Sequence, residues 1–252
     1  MRELKRFIEP PRVCDYVPDR FATLEHRLLL DVQPPELDEM LVRGWRRFGP
    51  LYFRPACMAC AECVSIRIPL ATFQPSESQL RAHRRCKRFR MQVGPPEADP
   101  QRLALYHAWH GMRRDTRGWH DSELDLEGYF YQLAFPHPSA REVTLWDGDR
   151  LVAVSLCDVT PNCWSAVYFF YDPEIARLSP GVANIMNCVD LARDHRAPHV
   201  YLGYRVMECA SLRYKCAYRP HELLLGRPAM DEAPRWLPEE QYPSPTPLSS
   251  AP

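Results

Sequence analysis

Cys57-Met-Ala-Cys60-Ala-Glu-Cys63 sets three thiols at three-residue spacing just after Tyr52-Phe-Arg-Pro55. Thiolates so arranged are ligands for Zn²⁺ or an iron–sulfur cluster, although three do not close a tetrahedral site. Cys14 is available as a fourth. Zinc templates expect two C-x2-C pairs, and a turn of buried thiols beside Trp45 and Tyr52 explains the same spacing. Both readings stay open. A nucleophilic thiol is set aside, since no His or Asn partner for one is evident.

A second segment, Arg81-Ala-His-Arg-Arg-Cys-Lys-Arg-Phe-Arg90, has six permanently basic residues in ten and no acidic one. On a helix, Arg81, Arg84, Arg85 and Arg88 form one stripe. Such a stripe is the footprint of a phosphate backbone or a solvated helix face. Ser179-Pro-Gly181 before a helix leaves N–H groups for an anion or a carbonyl oxygen. Tyr201-Leu-Gly203-Tyr204-Arg205 ends a strand, where catalytic groups sit in many layered folds. Taken singly, these last two are a capped helix and an aromatic core strand.

The elements that must hold these segments belong to a chain of 252 residues, 46% hydrophobic and 25% charged. That is a soluble globular composition. Lys plus Arg and Asp plus Glu both total 32, so attraction to nucleic acid must come from a local patch. Proline, at 26 residues, is about twice the usual share of ~5% and favours loops and short elements. Neither a signal peptide nor a run of ~18 apolar residues is read, so a cytoplasmic chain with reduced thiols is expected.

Glu36 to Phe48 reads as a helix with Leu37, Met40, Leu41, Trp45 and Phe48 on one face. Ser65 to Phe73 reads as a strand in which Pro69 marks an edge or a bulge. Ser76 is the N-cap of a helix running to Arg88, and Gly94-Pro-Pro96 is a soft boundary. Beyond it come a helix over 101–114, strands over 142–146 and 151–156 around Asp147-Gly-Asp149, and a strand over 164–170. A helix over 181–195 and strands over 199–203 and 222–225 follow. This order predicts an α+β fold: a GNAT-like acyltransferase layer over 96–238, a cysteine-containing module over 1–95, and a disordered Pro/Ser-rich tail over 239–252.

In combination the segments resemble the aminoacyl-tRNA–protein transferases of the N-degron pathway, both arginyltransferases and the shorter bacterial leucyltransferases. The residues that carry the resemblance are Ala166-Val-Tyr-Phe-Phe-Tyr-Asp-Pro173, Leu178-Ser-Pro-Gly-Val182, Tyr201-Leu-Gly-Tyr204 and, most tellingly, Cys209-Ala-Ser-Leu-Arg-Tyr-Lys-Cys-Ala-Tyr-Arg-Pro220. Upstream, Cys14-Asp-Tyr-Val-Pro18, Tyr52-Phe-Arg-Pro-Ala-Cys57 and Phe73-Gln-Pro-Ser-Glu-Ser-Gln79 extend it over roughly residues 12–238. Pro180 and Arg205 depart from the family's usual Leu and aromatic or aliphatic residue. The second cysteine that eukaryotic enzymes carry close after the first is absent after Cys14.

The resemblance implies transfer of an aminoacyl group, leucine favoured in so short a chain, from charged tRNA to proteins beginning with Asp or Glu, marking them for degradation. Ester to amide is downhill, so the reaction requires no cofactor. The acceptor amine, with a reference pKa near ~7.7–8.0, needs mild base assistance. The oxyanion needs hydrogen-bond donors, and the acidic acceptor side chain needs a cation. Tyr168 and Tyr204 are the expected phenol donors, and Asp172 and Glu208 the carboxylates that orient the amine. Arg213 and Lys215 are expected at the acceptor carboxylate or the tRNA end. Ser179, Gly181, Tyr201 and Gly203 are expected along the substrate, and the Arg81–Arg88 stripe along tRNA. An arginyl donor is the first alternative, and a non-catalytic tRNA- or N-terminus-binding module the second. An acyl-CoA acetyltransferase is set aside for want of a Gln/Arg-x-x-Gly-x-Gly/Ala loop.

Overall fold

The computed structural model describes residues 1–118 and 124–243. In chain order its first elements are β1 (Arg2–Ile8), the ribbon of β2 (Arg12–Val13) and β3 (Phe21–Ala22), β4 (Leu24–Leu30), α1 (Pro34–Leu41), β5 (Arg46–Phe48) and β6 (Leu51–Pro55). Strands β1, β4, β6 and β5 form an antiparallel sheet in that order. The helix expected to reach Phe48 stops at Leu41. Gly44 there takes a left-handed φ of 85°, and the chain returns as β5 to pair with β6. A hairpin thus wins over continued helix, and it still buries Trp45 beside Leu37, Met40 and Leu41.

The chain continues through β7 (Val64–Pro69), α2 (Glu77–Cys86), β8 (Arg90–Gly94), α3 (Pro100–Arg117), α4 (Leu126–Tyr129), β9 (Ala140–Asp147), β10 (Arg150–Thr160) and β11 (Cys163–Tyr171). It ends with α5 (Pro180–Asp194), β12 (His199–Arg205), α6 (Ala210–Arg213), β13 (Glu222–Leu224) and β14 (Trp236–Pro238). A single sheet of eight strands runs β14-β13-β7-β12-β11-β10-β9-β8. Its pairings are antiparallel except β11 with β12. Strand β7 lies in the interior of this sheet, not at an edge, and Pro69 closes its end, where the missing N–H is tolerated. The sheet therefore crosses the boundary expected at 95/96. Of the tail expected at 239–252, Glu239–Gln241 forms a short helical turn, and 244–252 lie outside the described residues.

Successive residues of a strand face opposite sides, and the two faces are covered by different helices. Phe170, Val154 and Leu156 pack on Leu105, Tyr106 and Trp109 of α3. Ile66, Ile68, Val200 and Leu202 pack on Ile185 and Val189 of α5. Helix α2 lies beside α5, started by Ser76, whose hydroxyl accepts from Gln79 N–H while the Gln79 side chain returns to Ser76 N–H. Two buried ion pairs fasten remote pieces: Arg102 of α3 with Glu142 of β9, and Arg47 of β5 with Asp158 of β10.

Gly49, in the β5–β6 turn, has φ of 54°, and a Cβ there would stand 2.0 Å from the Tyr131 carbonyl oxygen. Gly49→Ala adds left-handed strain to a clash with backbone. It should lower unfolding free energy by more than about 2 kcal/mol, read as a shift of the urea midpoint at constant slope.

Candidate active site

Strands β11 and β12 share three registered pairs, Cys163 with His199, Trp164 with Val200 and Ser165 with Tyr201. Beyond these, β11 follows β10 as far as Tyr171. Strand β12 follows β7, with an irregularity between Tyr201 and Tyr204. Gly203, at φ 76°, sits in that irregularity, where a left-handed backbone favours glycine. The two strands thus part to leave a wedge. Strand β5 lies across it, because Arg46 and Phe48 point the same way: Phe48 packs edge-on against Tyr168 of β11, and Arg46 lies over the rings of Tyr201 and Tyr204 of β12.

Arg46 is 6% exposed. Its Nη1 donates to the Trp45 carbonyl at 2.6 Å and its Nη2 to Gly203 O at 3.4 Å, but Nε is buried with no hydrogen-bond partner. Among the described residues it forms no ion pair. Asp158, held by Arg47, feels its charge only at longer range. Beside it Lys215 Nζ donates to Tyr204 O at 2.7 Å. Burial, reinforced by the Arg46 charge, pushes the Lys215 ammonium down to about 7. Two cationic side chains thus meet in the wedge, one without an ion pair among the described residues and one close to giving up its proton at neutral pH.

On the β11 side, Tyr168 O–H and His110 Nε2 are 2.8 Å apart. Burial lowers His110 to about 4, so it is neutral at physiological pH and can accept that proton, while burial raises Tyr168. Tyr106, Trp109 and Phe48 pack around the phenol.

The other expected site residues divide clearly. Tyr204 lies in the wedge, but its hydroxyl donates to Gly44 O at 2.7 Å, so its proton holds β12 to the β5 turn and is committed there. Tyr201 accepts from Arg67 at 3.1 Å and packs edge-on to Trp236. The Asp172 carboxylate accepts from Glu174 N–H, capping a short helical turn, and faces Arg150. Glu208 is half-exposed and 4.0 Å from Arg20. Arg213 is exposed and donates to Met207 O at 3.4 Å. Ser179 caps α5 through its backbone in a left-handed conformation, with Pro180 and Gly181 as the first helical residues. Arg205 is aimed away from Tyr204, lying over the ring of Tyr242. Arg81, Arg84, Arg85 and Arg88 are exposed, with Ala82, His83 and Cys86 turned inward. Glu77 and Asp147 stand 4.0 and 3.9 Å from Arg84 and Arg88.

The four upstream thiols lie in the N-terminal part, and each of the other three acts on Cys63. Burial, then Cys57, Cys14 and Cys60, push Cys63 up to about 12. Arg227 clamps the turn by donating to the carbonyls of Cys57 and Cys60, and Cys57 Sγ accepts from Thr23 N–H. Among the described residues, no three of these sulfurs reach within 4.8 Å of one another. The turn borders the wedge, since Cys63 influences Lys215 and Tyr204.

Arg46 escapes a reading by periodicity, which runs the helix of 36–48 through it. Gly44 and Gly49-Pro50 bracketing Trp45–Phe48 were the signal for a hairpin.

A wedge between two parallel strands with cations at its mouth suits acyl transfer to an amine, and the sequence comparisons agree. Residues 12–81 match the family described as "Arginine-tRNA-protein transferase, N terminus" and residues 101–225 the one described as "Arginine-tRNA-protein transferase, C terminus". The chain belongs to the aminoacyl-tRNA–protein transferase family. Among its relatives, the aspartate/glutamate leucyltransferase of Campylobacter jejuni is 31% identical over 215 residues, 84% of this chain and 90% of that protein. The enzyme of the same name from Acinetobacter baumannii is 33% identical over 230 residues, 89% of this chain and 83% of that protein. That of Helicobacter hepaticus is 29% identical, covering 92% of this chain and 97% of that protein. No described helix is long and apolar enough to cross a membrane.

Proposed function

We propose that this chain transfers leucine from leucyl-tRNA to the N-terminal amine of proteins beginning with Asp or Glu, working in the cytoplasm where charged tRNA is found. The observation that carries this reading is the buried Arg46 guanidinium, without an ion-pair partner among the described residues, beside Lys215 in the wedge. A desolvated cation of this kind is matched by an anion brought in from outside, such as the acceptor's side-chain carboxylate. The relatives' names supply the donor and the acceptors.

In this reading the acceptor carboxylate pairs with Arg46, which sets its α-amine toward Lys215. Neutral Lys215 takes a proton from the amine as nitrogen attacks the leucyl ester carbonyl. The tetrahedral intermediate then collapses, the C–O bond to the terminal ribose breaks, and the proton passes to the leaving oxygen. Tyr168 serves the oxyanion by turning its proton from His110 Nε2 to the developing charge. The layer is read as GNAT-like: four antiparallel strands β8–β11, helix α5, then β12 parallel to β11. The assay is direct. Purified chain with leucyl- or arginyl-tRNA and peptides starting in Asp, Glu or Ala should transfer leucine to the first two. Transfer of arginine instead, or none, would overturn the proposal.

The Arg81–Arg88 stripe is assigned to tRNA phosphate. Arg81→Ala combined with Arg85→Ala should weaken tRNA binding and reduce the slope of log K against log salt by about 1.5–2. An unchanged slope would leave the stripe as a solvated face.

A further inference from the structure

Away from the wedge, three side chains from separate segments meet without a role in the reaction: Cys216 after α6, His221 before β13, and Glu239 after β14. We propose that Cys216, His221 and Glu239 form a Zn²⁺ site that fastens the segment carrying Lys215 to the C-terminal strand. Their Sγ, ring nitrogen and carboxylate oxygen all lie within 4.8 Å of one another. His221 Nε2 is 3.6 Å from Glu239 Oε1. Tetrahedral zinc, with bonds of ~2.0–2.3 Å, sets its donor atoms roughly 3.3–3.6 Å apart.

The independent observation is the imidazole itself. His221 is 2% exposed. Its Nδ1–H donates to Tyr218 O at 3.1 Å, which fixes the tautomer and leaves Nε2 as a lone-pair donor. That Nε2 is buried and has no hydrogen-bond partner. A backbone carbonyl behind one ring nitrogen, with the other aimed at a thiol and a carboxylate, is how metal-binding histidines are held. Glu239 is arranged likewise: Oε2 accepts from Arg219 at 2.6 Å, which turns Oε1 toward His221.

The donor set selects the ion. Sulfur and imidazole exclude Mg²⁺ and Ca²⁺, while one thiolate, one imidazole and one carboxylate suit borderline-soft Zn²⁺, with solvent as fourth ligand. Ionised Cys216 and Glu239 neutralise its double charge. Burial holds the Cys216 thiol above its ordinary value, with Arg205 acting the other way, and both Arg205 and the Arg219 guanidinium on Glu239 repel a cation. Only a strongly binding ion therefore competes.

Co²⁺ is the spectroscopic probe, because thiolate ligation gives it a charge-transfer band in the near ultraviolet. Titrating metal-free full-length protein with Co²⁺ should develop the band, and added Zn²⁺ should remove it. Cys57→Ser combined with Cys60→Ser should keep one equivalent, showing that the upstream thiols are not its source. Cys216→Ser should lose that equivalent. Glu239→Gln, which can still bond Arg219, should bind Co²⁺ at least tenfold more weakly while the metal-free melting temperature is unchanged. A band absent from the parent protein, or one as strong in Cys216→Ser as in the parent, would overturn the site.

Discussion

Arg46→Met should reduce kcat/KM for peptides beginning with Asp or Glu by roughly 30- to 3,000-fold, with tRNA affinity unchanged. The range follows from the ~2–5 kcal/mol lost when one partner of a buried charged pair is removed, at about 1.4 kcal/mol per tenfold. Methionine keeps the apolar stem of the side chain and needs no counter-ion. Removing an unpaired buried charge relieves desolvation, while losing the donors to Trp45 O and Gly203 O has the opposite effect. Stability should therefore move much less than activity. Arg46→Lys should recover part of the rate, since a point charge replaces a bidentate fork. A loss of rate matched by an equal fall in stability, or by an equal fall in tRNA affinity, would show that Arg46 acts on packing alone.

Lys215→Met should lower kcat by about 10²–10⁴, the usual contribution of a positioned base, and should also change two pH profiles. The rate of the parent enzyme should rise through pH about 7 as the Lys215 amine becomes neutral, and in the variant the rise should instead follow the acceptor amine, near ~7.7–8.0. Stability follows from the same side chain. Its pKa falls from 10.5 to about 7 on folding, so between those values the unfolded chain holds a proton that the native chain does not. Stability contributed here is fully present above pH 10.5 and is lost as pH falls through 7. The difference in urea midpoint between parent and Lys215→Met should vary across this window and level off beyond it. A difference independent of pH would mean that the amine is charged in the native state.

Much of the sheet's C-terminal half was legible because its signals are local. Asp147-Gly148-Asp149 separates β9 from β10, and Ser76 with Gln79 starts α2. The four-stranded N-terminal sheet was not legible: β1 is exposed along its whole length and carries no alternation to read. The interior position of β7 was hidden for another reason, since its neighbours come from more than a hundred residues away. Around the wedge, Tyr168 and Lys215 were singled out by residue type and context. Arg46 required knowing that a helix-like pattern ends at Gly44. The capping role of Asp172 was legible too, since an Asp before Pro173 is well placed to cap the following turn.

The interior place of β7 also governs the order in which the chain can finish folding during synthesis. Strand β7 leaves the ribosome long before β12 and β13, and its two edges are unpaired until both have been made. A nascent chain stopped after residue 95 thus presents an apolar strand, Val64-Ser-Ile-Arg-Ile, with no sheet to join. A fragment beginning at 96 has the complementary gap between β12 and β13. Neither half holds the complete eight-stranded sheet, and its closure waits for contacts of long sequence separation, the slow kind. Full-length synthesis is the condition for the wedge to exist at all.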